Sequence, residues 1–375
     1  MALAYPSGMN TWVASWEATG QTIAFIRDPK RFAINNYIDF RPATKPVGLY
    51  LEFDLDYGPR VQPGLASYVW HDGGERPNWE GNRAGFEFKE YRTIRRDNGF
   101  VLGEQSIDNA AWPIVAFHSA GVMQQSMTAL SADIIAHLED SANWGTGNYD
   151  TVENVLDGVV GGSSGTYFDV ANNTVGDAQY LNIKKTLNAI MIRLQKNTGG
   201  MVQVDEYWMV VSPQCAAIIA QTAEIQDTIK QSPFSMMQVR GEIGGRNALY
   251  GLPDMLYGFN VVVDNTVSIS ANKGATQTRT FAKSDDTIFF VSKPKAMPGD
   301  QVGDAPTPSF STFQYFYYGD NNASDLARDG SASGLLTVEM LPDVRNKRVE
   351  GHVVWQGVSK MVAPSSGFLL TDVLT

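Results

Sequence analysis

Gly161-Gly162-Ser163-Ser164-Gly165 fits the spacing G-x-S-x-G, in which a serine on a sharp turn attacks a carbonyl carbon. That chemistry requires a strand before the serine and a helix directly after it. The residues that follow, Thr166-Tyr167-Phe168-Asp169-Val170 and then Ala171-Asn172-Asn173, make a poor helix start. His352 is the available base, and no local feature brings it close. A flexible loop is the stronger reading, with a serine hydrolase acting through Ser163 as the alternative.

The other chemistry-bearing groups are weaker. Gly241-Glu242-Ile243-Gly244-Gly245-Arg246 has the glycines of a phosphate cradle but lacks its Lys-Ser/Thr ending, so it reads as a turn-rich loop. Asp285-Asp286 and the Asp54, Asp56 pair lack the spacing of a calcium loop. His118 and His137 fall on one predicted helix, too far apart to share an ion. Cys215 opens an apolar helix, where a low thiol pKa is conceivable, but no base accompanies it and it reads as a buried core residue. Met236-Met237 and Phe313 through Tyr318 read as core or subunit-contact surface. No convergent set of titratable groups emerges, so the sequence predicts no catalytic centre, no cofactor and no metal site.

Composition narrows the class. The chain has 375 residues, 43% hydrophobic and 11% aromatic, which excludes whole-chain disorder and allows two or three domains. Lys plus Arg is 29 against Asp plus Glu at 40, a net charge of -11, opposite to a sequence-reading nucleic-acid binder. One cysteine excludes an internal disulfide framework. No apolar run is long enough to span a bilayer. Met1 to Pro6 shows no basic region leading into an apolar core, so the expected setting is a reducing cytoplasm.

Periodicity then supplies the elements that would carry these groups. Residues 1–48, broken by Pro6, Pro29, Pro42 and Pro46, read as an arm that docks through Trp12, Trp16 and Phe25. Leu49 to Phe53 and Phe86 to Arg92 alternate and read as strands. Met123, Met127, Leu130, Ile134 and Leu138 form one stripe of a long helix expected over 110–139. Residues 145–177 should hold a hairpin or two. A second helix carries Ile183, Leu187, Ile190 and Leu194 and closes at Thr198-Gly199-Gly200. Tyr207 to Val211 reads as a buried strand, and Ser212-Pro213 as the cap and first residue of the next helix. Strands follow at Phe259 to Val263 and Thr287 to Val291. The end of the chain alternates again over Leu335 to Met340, Arg348 to Trp355 and Phe368 to Val373, strands expected to pack on the long helix.

Between His71 and Phe100 six acids and six bases crowd into 30 residues together with Trp79, Phe86, Phe88 and Tyr91. Such an excursion has too little apolar area to bury itself. Its plain reading is a solvated hairpin; the sharper one is an arm that lies on a neighbouring subunit.

This order of parts resembles the major capsid proteins of tailed bacteriophages with the Hong Kong 97-type fold. The resemblance runs through nearly the whole chain, including Leu187-Asn188-Ala189-Ile190, Tyr207-Trp208-Met209-Val210-Val211-Ser212-Pro213 and the ending Val358-Ser359-Lys360-Met361-Val362-Ala363-Pro364-Ser365-Ser366-Gly367-Phe368. It implies an α+β fold with an N-terminal arm (1–48), an extended loop (49–104), a peripheral domain with a spine helix (105–175), an axial domain (176–330) and return strands of the peripheral domain (331–375). The stretches 145–177 and 295–330 depart most from the pattern.

The function implied is self-assembly into hexamers and pentamers that close an icosahedral head around double-stranded DNA. Assembly in the host cytoplasm and a final place in the virion follow from it. The implied partners are further copies of the chain, scaffolding and portal proteins, decoration proteins, and DNA held only by weak non-specific contact. No acidic helical leader precedes the arm, which implies a separate scaffolding protein or a mature chain. Some members crosslink a loop lysine to a neighbour's asparagine, and Lys89 is the only lysine in this loop. The candidate inter-subunit residues are Trp12, Trp16 and Phe25 on the arm and Arg76, Lys89, Arg92, Arg95 and Arg96 on the loop. Related alternatives are an encapsulin-like compartment shell and a minor virion protein of the tail or decoration type.

Overall fold

The computed structural model describes residues 13–14, 32–43, 45–53, 86–110, 114–155, 167–168, 182–200, 202–230, 251–269, 276, 278–294, 311–318 and 335–374. Its strands in chain order are β1 (Val13–Ala14), β2 (Asp39–Pro42), β3 (Val47–Phe53), β4 (Phe86–Arg92), β5 (Ile94–Gly103), β6 (Tyr149–Thr151), β7 (Tyr207–Val211) and β8 (Met255–Leu256). They continue with β9 (Phe259–Val263), β10 (Val267–Ile269), β11 (Arg279–Phe281), β12 (Ile288–Ser292), β13 (Phe313–Tyr317), β14 (Thr337–Asp343), β15 (Arg348–Met361) and β16 (Phe368–Thr371). The helices are α1 (Ile34–Tyr37), α2 (Glu104–Asp108), α3 (Ile114–Glu139), α4 (Asn182–Asn197), α5 (Pro213–Gln221) and α6 (Ala223–Lys230).

Two six-stranded sheets dominate. The first is built on β15, which pairs antiparallel with β5, β14 and β13, while β2 adds to β13 in parallel and β1 to β14. The second runs β6-β16-β12-β7-β9-β8. Both faces of the second sheet are covered, which is why Tyr207-Trp208-Met209-Val210-Val211 is apolar throughout instead of alternating. Met209 and Val211 pack with α4 and α5, whereas Val210, Val262, Phe289 and Leu369 face the layer that holds α3 and the first sheet.

Local signals account for the helices. The buried stripe of α3 is Ser119, Val122, Met123, Ser126, Met127, Leu130, Ser131, Ile134, Ile135 and Leu138, a 3.6-residue period sustained over about 39 Å. The Ser212 side chain accepts from Cys215 N and Pro213 fills the first turn of α5. Past α4, Gly199 and Gly200 adopt φ of 57° and 75°, and Gly200 N donates to Gln195 O, the left-handed ending that glycine permits.

Several placements differ from the sequence expectation. The chain makes the short helix α2 and a turn at Asn109 before α3, so the spine does not run unbroken from residue 110. β5 is not part of a free hairpin: it pairs with β15 from Ile94↔Gly357 to Gly103↔Arg348 and lies on α3. β13 joins the first sheet, although it lies between residues 176 and 330, and β6 and β16 complete the second. Within 145–177 the described pieces are β6, a helical turn and Tyr167-Phe168, with no hairpin among them.

One polar node ties the layers together. Lys283 is 1% exposed, with Nζ donating to Thr287 O at 2.6 Å and to Thr287 Oγ1, 3.8 Å from the centre of the Phe289 ring. Glu139, the last residue of α3, lies 3.7 Å away and accepts from Ser284 N. Beside it Tyr37 Oη donates to the buried Asp264 at 2.8 Å. Burial pulls the Lys283 pKa down to about 8 against the upward pull of Glu139.

The folded-state value lies below the unfolded 10.5, so between them the unfolded chain holds a proton that the folded chain lacks. Stability therefore rises with pH across that window, by roughly 3 kcal/mol if completed. Buried Tyr37 and Tyr315 are shifted upward and oppose this above pH 10, so the difference from Lys283→Met isolates the lysine. Urea unfolding between pH 8 and 10 should show wild type gaining about 2 kcal/mol relative to Lys283→Met; parallel pH curves would contradict the assignment.

Candidate assembly surface

β3 and β4 form a two-stranded sheet of their own, antiparallel from Val47↔Arg92 to Phe53↔Phe86. With a side-chain period of two, one face carries Gly48, Tyr50 and Glu52 opposite Tyr91, Lys89 and Glu87. The other face carries Val47, Leu49 and Leu51 opposite Arg92, Glu90 and Phe88.

The first face anchors the ribbon. The Tyr91 ring stacks on Phe316 with centroids 4.8 Å apart and planes 4° from parallel, and Tyr50 meets the same ring at 5.8 Å. Val362, Val358 and Ala43 complete this small core. A Cβ on Gly48 would stand 2.6 Å from Tyr91 Oη, so the tyrosine lies flat only because its cross-strand partner is glycine. Burial, helped by Glu52 and Glu87, pushes the Tyr50 pKa up to about 12. At the base, Thr93 donates through both N and Oγ1 to Pro46 O, and Gln356 Nε2 donates to Thr93 Oγ1.

The second face is open. Val47, Leu49 and Phe88 are 53%, 53% and 58% exposed, while Leu51 on the same face is buried. Three exposed large apolar side chains on one ribbon face, rimmed by Arg92 and Glu90, have the make-up of a contact surface.

The sequence-predicted residues distribute unevenly. Trp12, Trp16, Phe25 and Arg76 lie outside the described residues, as do Ser163, Asp54 and Asp56. Lys89 pairs with Glu52 on the anchored face, and Arg92 sits on the open face opposite Val47. Arg95 is exposed on β5 opposite Gln356. Arg96 turns inward and grips Asp133 of α3 with two hydrogen bonds of 2.9 and 3.0 Å, a fork that raises its pKa further. The described loop bases thus divide three ways: Lys89 pairs within the ribbon, Arg96 holds β5 to its own helix, and Arg92 and Arg95 are exposed.

The other chemistry candidates are engaged internally. Cys215 is fully buried. Asp285 accepts from the Ser212 hydroxyl and Asp286 from Leu374 N. His118 stacks on Phe100, His137 is half-buried against Phe313 with its pKa lowered by burial, and His352 pairs with Asp97 at 3.0 Å. Val47 is not singled out in the sequence and Leu49 only as the start of a strand, because the charges of the loop dominate. The signal was the unbroken alternation of Val47-Gly48-Leu49-Tyr50-Leu51-Glu52-Phe53.

No protein family and no curated protein matches this chain in sequence. In structure it is similar to a phage-related protein from Bordetella bronchiseptica, with a TM-score of 0.59 at 10% identity, covering 97% of this chain and 98% of that one. The fold is the Hong Kong 97-type capsid fold. Weaker likenesses include a protein of Mycobacterium phage Che8, at TM-score 0.46 and 11% identity over 100% and 98% of the chains. The encapsulin SrpI of Synechococcus elongatus matches at 0.48 and 10% over 99% and 93%.

Val47→Ser with Leu49→Ser and Phe88→Ser tests the open face. Exposed positions change folding stability by only about 0.5 kcal/mol each, so thermal melting of the subunit should barely move. Self-association in sedimentation velocity should fall at least tenfold; unchanged association would remove the face from the contact surface.

Proposed function

We propose that this chain is the shell-forming subunit of a phage head, assembling into hexamers and pentamers around double-stranded DNA, without catalysis. The observation that carries the reading is the β3–β4 ribbon: rigidly rooted by Tyr91 on Phe316, yet leaving Val47, Leu49 and Phe88 more than half exposed. Burying such a face on a sister subunit gains about 25 cal/mol for each Å² of apolar surface. Arg92 and Glu90 at its rim give register more than affinity. The ribbon is a sheet separate from the two six-stranded sheets, a division of labour that suits a shell subunit. A net charge of -11 keeps the inner surface from gripping DNA tightly, since strong phosphate binding needs clustered bases.

Scaffolding, portal and decoration partners, a virion location and assembly in the host cytoplasm belong to the same proposal. So do inter-subunit roles for Trp12, Trp16, Phe25, Arg76, Lys89, Arg92 and Arg95, and the domain boundaries given above.

Phe53 and Phe86 are directly opposed, so an Asn-Gly turn can join them in place of residues 54–85. This shortened chain should fold and melt like wild type but fail to form closed particles in negative-stain images, while wild type forms them. Normal shells from the shortened chain, or a wild type that stays monomeric at every concentration, would defeat the proposal. Closed particles that exclude nucleic acid under packaging conditions would favour a compartment shell instead.

A further inference from the structure

The turn between β14 and β15 and helix α2 meet at one corner of the first sheet. Glu104 N donates to Lys347 O at 2.8 Å, directly beyond the Gly103↔Arg348 end of the β5–β15 ladder. One carboxylate fixes the turn from within. Asp343 Oδ1 accepts from Arg345 N and Asn346 N, each at 3.1 Å, and Oδ2 accepts from Asn346 Nδ2 at 2.6 Å and Arg348 Nε at 3.1 Å. The bonds from Asn346 hold the Asp343 carboxyl below the usual carboxylate range. Lys347 closes the turn at a φ of 50°, and Arg348 is tied again to Glu350 at 2.7 Å.

What this frame presents is unmatched. Val344, Arg345 and Lys347 on the turn and Glu104 and Asp108 on α2 are exposed, Val344 at 85%. Two bases therefore stand beside two acids on elements joined through their backbones. Among the described residues none of these four side chains makes an ion pair or a hydrogen bond, with each other or elsewhere. A rigid surface that shows both signs side by side is complementary to a copy of itself turned about a two-fold axis. The order already built into the turn lowers the cost of such a contact, and Val344 at the tip adds apolar area between the charges.

We propose that this corner meets the same corner of a second copy, with Arg345 and Lys347 of one turn facing Glu104 and Asp108 on the other copy's α2. The inference rests on the self-assembly reading and deepens it with a second contact, made by residues separate from the open face of the β3–β4 ribbon. Its charges set which surfaces meet more than how tightly they hold.

The test is sedimentation velocity of the full-length protein over a concentration series, at low and high ionic strength. R345E/K347E and E104K/D108K should each weaken association about tenfold or more at low salt, because each opposes like charges across the contact. The two variants shift the net charge in opposite directions, so loss in both cannot come from overall repulsion. Mixing them pairs an all-acid corner with an all-base one and should restore association, as should the full exchange R345E/K347E/E104K/D108K. High salt should shrink every difference. Arg279→Glu, on exposed β11, should leave association unchanged. If a reversal variant misfolds by circular dichroism, R345Q/K347Q and E104Q/D108N should still weaken association, by a smaller factor.

Wild-type association in either reversal variant, no recovery on mixing or exchange, or an equal loss from Arg279→Glu would each overturn the corner contact while leaving the shell reading in place. A wild type that stays monomeric at every concentration would overturn both.

Discussion

A single buried lysine sets the geometry of the body. Lys283 reaches the last residue of α3 and the backbone that opens β12, while Tyr37 and Asp264 close the same node from the segment before β2 and from the end of β9. Moving an ammonium from water into this layer is costly, and the attraction of Glu139 repays only part of it. The cost is tolerable because both sheets share one apolar layer around α3, and a charge that finds its partners in only one arrangement fixes how the layers meet. The node is closed in this sense: its charged and hydroxyl groups find their partners within the body.

The β3–β4 ribbon is the counterpart. Its root obeys the same rules as the body, with Tyr91 lying across Gly48 and stacked on Phe316. Its outer face does not, since Val47, Leu49 and Phe88 remain more than half exposed. A rigid root combined with an unfilled face means that the ordering entropy of the ribbon is already spent in the free subunit, which lowers the cost of contact with a sister copy.

Much of this was legible in the sequence wherever the controlling interaction is local. The stripe of α3, the Ser212-Pro213 start of α5, the Thr198-Gly199-Gly200 ending of α4 and the doubly buried β7 follow from spacing within a few turns. Sheet membership was not, because it is decided by residues far apart in the chain. β5 reads as a solvated strand, yet Arg96 and Asn98 point at α3, where Asp133, Gln125 and Ser126 receive them. Lys283 carries no local signal of burial, since nothing near it in the sequence announces Glu139. The charges of the loop drew attention to Arg92 and Arg95, whereas the more telling feature of the assembly surface is the plain alternation that exposes Val47 and Leu49.

The central claim is that the open ribbon face finds its cover only on another copy. Hydrogen–deuterium exchange of residues 47–53 and 86–92, compared between dissociated subunits and purified particles, tests it most directly. The account predicts amides near Gly48 and Tyr91 protected in both states, and those toward Phe53 and Phe86 protected only in particles. Equal protection along the whole ribbon in the lone subunit and in the particle would contradict it.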